Sequence, residues 1–283
     1  MAGGVVSVGS RAIAAEGSRP GTGAQAGGLA GAQGGAGATP AVELRGVFKT
    51  FEGNQVLQGL DLAVRPGESI TIIGGSGTGK SVLLRLIIGL LRPEAGQVLL
   101  EGQDIVPLRE RELLRVRRKV GLVFQGSALF DSLSVGENVA YALREHTAWD
   151  EEKIRARVRE VLDMVGLGNI EGVEPAELSG GMRKRVAVAR AIAHPPRILL
   201  YDEPTTGLDP SNVEKVNELI LDLKEKLGVT SVVVTHDMPS ALKVSDRLAM
   251  LHEGRIAAVG TPEEIQATHQ SLIRDFIEGR VER

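Results

Sequence analysis

Gly74-Gly75-Ser76-Gly77-Thr78-Gly79-Lys80-Ser81 fills every fixed position of the phosphate-binding pattern G-x-x-x-x-G-K-[ST]. Glycines let backbone N–H groups curl around an anion with no Cβ in the way, and the start of a helix adds partial positive charge. Lys80 has the reach for β- and γ-phosphates, and the Ser81 hydroxyl is a ligand for Mg²⁺. Such a loop needs a strand before it and a helix after it. Ser69-Ile70-Thr71-Ile72-Ile73 reads as a buried β-branched strand, and Val82 to Ile88 as a helix packed on it. The alternative is an ordinary glycine-rich turn, against which the Lys-Ser pair stands in register. By itself the loop implies only that a nucleoside triphosphate binds.

Further along, Leu178-Ser179-Gly180-Gly181-Met182 precedes a basic and then apolar stretch, Arg183 to Ala191. Ile198-Leu199-Leu200-Tyr201 then leads into the paired carboxylates Asp202-Glu203. On these motifs the chain resembles the ATP-binding-cassette (ABC) ATPases from about Val42 to the C-terminus. The order of phosphate loop, Gln125, LSGG-x signature, Asp202-Glu203 and His236 agrees with that family. The resemblance implies an α/β P-loop NTPase fold. Its core sheet is mostly parallel, flanked by an antiparallel β subdomain and a helical insert, and it takes ATP and Mg²⁺.

Asp202 closes an apolar strand, where an unpaired carboxylate is costly, and facing Mg²⁺ through the water shell would compensate it. Glu203, one residue on, points elsewhere and is the expected general base. The plain alternative is that the pair caps the next helix. By resemblance, His236 after Val232-Val233-Val234-Thr235 positions the phosphate and attacking water, although a lone strand-end histidine reads as surface. Gln125 offers a side-chain oxygen to the metal, and in the family it relays nucleotide state to a membrane partner. Phe51 falls where the family stacks a ring on adenine, with a hydrophobic staple as the other reading. The expected nucleotide-binding set is therefore Phe51, Gly74, Gly75, Ser76, Gly77, Thr78, Gly79, Lys80, Ser81, Val82, Ser179, Gly180 and Gly181. Ser81, Gln125 and Asp202 form the metal set, and Glu203 and His236 the catalytic pair. In this fold the insert carries the signature away from the chain's own phosphate loop. It would serve the ATP of a second subunit in a head-to-tail homodimer, with Thr206-Gly207-Leu208-Asp209 crossing the interface. Met182 departs from the Gln common at its position and loses that side chain's polar contacts. His146, His194, His252 and His269 show no ligand spacing and read as structural.

The elements that must position these groups alternate along the chain. Val42–Val47, 55–64 and 96–100 read as antiparallel strands, 119–124 as the strand before Gln125, and 135–144 and 151–165 as helices. Strands at 197–201, 230–235 and 248–251 then alternate with helices at 211–227 and 239–244, the pattern of a parallel sheet covered on both faces. Arg109 to Arg118 reads as a solvated helix face. A length of 283 residues suits one cassette over 42–265, with a helical subdomain at about 126–195 and a helical tail over 266–283. The apolar positions of that tail are Leu272, Ile273, Phe276 and Ile277. A net charge of -3 argues against a nucleic-acid partner, and the lack of cysteine removes disulfide and zinc-thiolate chemistry. The longest apolar run, Leu83 to Leu91, is interrupted by Arg85 and is too short to span a bilayer. Residues 1–40, rich in Gly and Ala, are expected to be disordered, with an organellar transit peptide as the alternative.

Gly126 to Val135 and on to Thr147, the LSGGM variant and the tail Arg274 to Gly279 are similar to the ATPases of Mla-type, Mce-associated lipid transporters. That resemblance implies a subunit at the cytoplasmic face of the inner membrane, or of an organellar inner envelope. It would deliver ATP energy to a separate integral membrane permease, working with a periplasmic Mce-domain lipid-binding protein on phospholipid or another hydrophobic cargo. Residues 126–147 also read as a generic helix for any permease. The ATPase of a small-solute importer and a non-transport cassette protein remain the alternatives.

Overall fold

The computed structural model describes residues 38–277. The disorder expected of the N-terminal segment therefore lies outside the described residues up to 37, as does the end of the expected tail from 278 on. In chain order the strands and helices are β1 (Val42–Phe51), β2 (Asn54–Val64), β3 (Ser69–Ile73), α1 (Lys80–Ile87), β4 (Ala95–Leu100), β5 (Gln103–Asp104), α2 (Glu110–Arg117) and β6 (Val120–Val123). There follow α3 (Val135–His146), α4 (Glu151–Met164), α5 (Gly180–Ala193), β7 (Ile198–Asp202), α6 (Pro210–Leu227) and β8 (Thr230–Thr235). The described chain closes with α7 (Met238–Val244), β9 (Arg247–His252), β10 (Arg255–Gly260), α8 (Pro262–Ala267) and α9 (Ser271–Ile277).

One sheet is antiparallel, in the order β2-β1-β4-β5. The other runs β10-β9-β3-β8-β7-β6, parallel from β6 to β9 with β10 antiparallel at its edge. Strands covered on both faces are continuous apolar runs rather than alternating ones. Every residue of β3, β7 and β8 is accordingly buried. These three are neighbours, so the loop after β3, Asp202 at the end of β7 and His236 just past β8 all emerge at the carboxyl edge of the sheet. Open α/β sheets bind ligands in the crevice outside that edge.

Helices α3, α4 and α5 pack on one another through Val139, Leu143, Val158, Val161 and Val186, in a cluster continuous with one face of β7. Ser134 caps α3 in a reciprocal box with Glu137, Asp150 caps α4 and Ser179 caps α5. Glu101, in the turn after β4, accepts from Lys119 at 2.7 Å and Arg197 at 2.6 Å, tying the antiparallel sheet to the starts of β6 and β7.

The structure departs from the sequence expectations in several places. β1 runs on to Phe51, because Glu94 takes the Lys49 ammonium at 2.6 Å and the Thr50 N–H at 2.8 Å. β10 and α8 had no counterpart in those expectations, although Thr261 and Glu264 form a capping box. α2 buries Leu113 and Val116, and Arg117 turns inward to donate to Ile88 O at 3.2 Å and Gly89 O at 2.8 Å instead of facing solvent.

Candidate active site

The loop from Gly74 to Gly79 closes tightly on the start of α1. Gly79 has φ 102°, and a Cβ there would stand 2.7 Å from Val56 Cγ1, so only glycine fits. Thr78 Oγ1 donates to the Gly75 carbonyl at 2.9 Å and braces the turn. The Lys80 ammonium, on a residue only 7% exposed, donates to the Gly74 and Gly75 carbonyls at 2.9 Å each. Burial lowers its pKa below the usual lysine value, against the opposing pull of Glu203 and Asp202. A cleft of about 650 Å³ opens over the loop, lined also by Val56, Val82, Gln125, Glu203 and His236.

Glu203 is the most constrained side chain of this edge. Its backbone is left-handed (φ 47°), a conformation that costs a non-glycine residue about 1–3 kcal/mol and persists only when neighbours enforce it. Its N–H donates to the Val234 carbonyl at 2.9 Å, which locks the turn after β7 onto β8. The carboxylate, 7% exposed, accepts from Thr206 Oγ1 at 3.1 Å and Thr235 Oγ1 at 3.2 Å. His236 Nδ1 lies 3.0 Å from its Oε1, and Lys80 Nζ 3.8 Å from the same atom. An ionised carboxylate only accepts, so this pairing puts a proton on Nδ1.

Ser81 Oγ donates to Asp202 Oδ1 at 2.8 Å, bringing together two of the three expected metal ligands. Gln125, in the turn after β6, faces the same cleft. A hydroxyl, a carboxylate and an amide are all oxygen donors. They fit a hard cation such as Mg²⁺, which keeps waters and takes its remaining ligands from substrate phosphates. Among the described residues no cluster of three His, Cys, Asp or Glu offers a competing site.

Other expected residues lie outside the cleft lining. Phe51 is 40% exposed, with the Lys49 ammonium 5.0 Å from its ring centroid, and Val56 is the apolar residue that flanks the loop instead. Ser179, Gly180 and Gly181 sit at the start of α5, where the Ser179 hydroxyl accepts from the Met182 N–H at 3.3 Å. A Cβ on Gly181 would meet Asn212 Oδ1 at 2.5 Å, so this glycine seats the signature against α6 beside Asp209.

Sequence reasoning missed the basic residues of α5. Arg183 donates to Leu178 O, Arg185 to Val165 O and Gly166 O, and Arg190 to Ser127 O and Ala128 O. Lys184 donates to Gln125 O and Glu203 O. A run of cations suggests a solvated face. The available signal was spacing, since Lys184 shares a helix face with Gly181, Ala187 and Val188, all buried.

A family model described as ABC transporter matches residues 57–206. The chain is 40% identical over 240 residues to the probable ribonucleotide transport ATP-binding protein mkl of Mycobacterium leprae, covering 85% of this chain and 69% of that protein. It is 42% identical over 232 residues to the intermembrane phospholipid transport system ATP-binding protein MlaF of Haemophilus influenzae, covering 81% and 88%. Methionine import ATP-binding protein MetN 2 of Rhodococcus jostii is 42% identical over 237 residues, with 82% and 69% covered. Among solved structures, a dimeric post-hydrolysis state of the ATP-binding cassette MJ0796 bound to ADP and Pi aligns with a TM-score of 0.73. Its sequence identity is 36%, over 78% of this chain and 98% of that one.

Proposed function

The chain belongs to the ABC transporter family and is the ATP-hydrolysing subunit of such a transporter, and from that premise we propose that Glu203 drives hydrolysis to move phospholipid or a related hydrophobic molecule. ATP lays its phosphates against the loop and the start of α1, and the Lys80 ammonium exchanges the Gly74 and Gly75 carbonyls for phosphate oxygens. Water attacks the γ-phosphorus in line, the bond to the β–γ bridging oxygen breaks, and ADP leaves with its electrons. The water's proton passes to Glu203, help worth roughly 10²- to 10⁴-fold. His236 holds that carboxylate through Nδ1, while its ring, 60% exposed, faces the cleft. Mg²⁺, with Ser81, Gln125 and Asp202 as its protein ligands, would neutralise charge on the phosphate oxygens. The observation that carries this reading is the convergence of Lys80, Thr206, Thr235 and His236 on one buried carboxylate.

The signature stands outside its own cleft, which supports service to a second copy in a twofold homodimer, and the MJ0796 cassette is dimeric. No helix among the described residues is long and apolar enough to cross a membrane. In this reading the subunit sits at the cytoplasmic face of the inner membrane and passes its force to a separate integral membrane permease. Phe130 and Tyr141, 45% and 47% exposed with ring centroids 5.0 Å apart, support a docking point just after Gln125.

The cargo and a periplasmic Mce-domain partner rest on similarity to MlaF, of whose length the chain covers 88%. Isolation of the native complex with mass spectrometry of its bound molecule tests this, and phospholipid is the expected result. A co-purifying solute-binding protein without lipid would favour the small-solute importer, a reading that the 42% identity to MetN 2 supports.

A further inference from the structure

One ammonium joins two separate loops of the cleft. Lys184, 5% exposed on α5, donates to the backbone carbonyls of Gln125 and Glu203, the latter at 3.1 Å. Both acceptors belong to residues whose own side chains face the cleft. Six residues along the helix, Arg190 holds the same first loop through Ala128 O at 2.6 Å and Ser127 O at 2.8 Å. Glu203, Ser127 and Ala128 are all left-handed non-glycine residues (φ 47°, 64° and 48°), a backbone state that persists only where surroundings over-determine it. Lys184 and Arg190, which take backbone carbonyls of these two loops, come from one helix, and that helix begins at the signature.

We infer that Lys184 is a positioning residue for hydrolysis: it fixes the distance between the Glu203 turn and the Gln125 turn, and couples both to the helix that starts at Ser179. The inference rests on the reading of Glu203 as general base. Its chemistry is simple. An ammonium presents several N–H donors from one point, so it can bridge two carbonyl oxygens just beyond the end of the β6–β7 ladder, whose last pair is Val123 with Tyr201. Burial lowers the Lys184 pKa below the usual lysine value, against the opposing pull of Asp202 and Glu203. The link makes the placement of both turns depend on the placement of α5. Nucleotide affinity, set by the phosphate loop, does not depend on this link; the geometry of water attack does.

The test uses the full-length chain with Lys184→Met, which keeps the length and apolar stem, and with Lys184→Arg and Lys184→Gln, which keep donors. Steady-state kcat and KM for ATP and the Kd for MgADP are measured below the melting onset of every variant. Lys184→Met should lower kcat by on the order of 10- to 100-fold with KM and Kd within about threefold, because a misplaced catalytic group costs rate rather than binding. At least one of the donor-bearing variants should recover most of that loss. A kcat for Lys184→Met within twofold of the parent would overturn the inference. So would loss of Kd and kcat together in all three variants, since that marks a merely structural role. Glu203→Gln run in parallel keeps the two readings apart: turnover surviving in that variant sinks the general-base assignment and leaves the Lys184 result to be judged on its own kcat–KM split.

Discussion

His236 Nδ1 stands 2.9 Å from one carboxylate oxygen of Glu203 and 3.0 Å from the other. A ring N–H shared between both oxygens fixes the plane of the carboxylate, which Thr206 and Thr235 then hold from the remaining sides. The histidine thus orients the proposed base while leaving its outer ring edge toward the cleft.

His236→Ala should therefore cut turnover by on the order of 10²-fold while MgADP affinity stays close to the parent's, because the loop and Lys80 are untouched. Parallel titration calorimetry and steady-state kinetics check this. Equal losses of affinity and rate would show that His236 acts on binding instead.

Replacing Phe130 and Tyr141 with Ser should leave the subunit folded, since both rings are largely exposed and contact each other. ATP turnover of the isolated subunit should persist, and co-purification with the permease should fall. Asn138 supports the expectation that the loop keeps its shape. Its buried amide accepts from Phe130 N–H and donates to Phe130 O, Leu133 O and Ser134 O. An intact complex after the double substitution would move the docking point elsewhere.

The Lys119 and Arg197 side chains hold the Glu101 carboxyl below the usual glutamate value of 4.5. A carboxyl whose folded pKa is depressed contributes stability above its unfolded pKa and loses it as pH falls through the folded one. Glu101→Gln should thus lower the melting temperature slightly at pH 7, by an amount worth at most about 1 kcal/mol for so exposed a cluster. The gap between parent and variant should close as pH is taken below 4.5. Thermal melts across that range decide the matter, and a gap that widens in acid would contradict the ion-pair account.

Much of the fold was legible because burial on both faces makes parallel strands read as unbroken apolar runs, as in β3, β7 and β8. β10 escaped because its burial is ragged at a sheet edge and its sequence, Arg255 to Gly260, carries weak alternation. The phosphate loop could be read from residue types alone, since only glycine suits a position like Gly79. What pairs across the cleft was not readable. That Val56 flanks the loop while Phe51 turns out under Lys49 depends on how β1 and β2 close their hairpin. Likewise, Arg183, Lys184 and Arg185 look alike in sequence, yet each reaches a different loop's carbonyls once α5 is packed.

Glu203→Gln tests the central claim most directly. The amide preserves size and most of the contacts to Thr206, Thr235 and His236 but cannot take a proton from water. Turnover should fall by roughly 10²-fold or more with ATP still bound, and gel filtration in ATP should show a stable dimer that the parent loses on hydrolysis. Turnover within tenfold of the parent would contradict the account and take the general-base role away from Glu203.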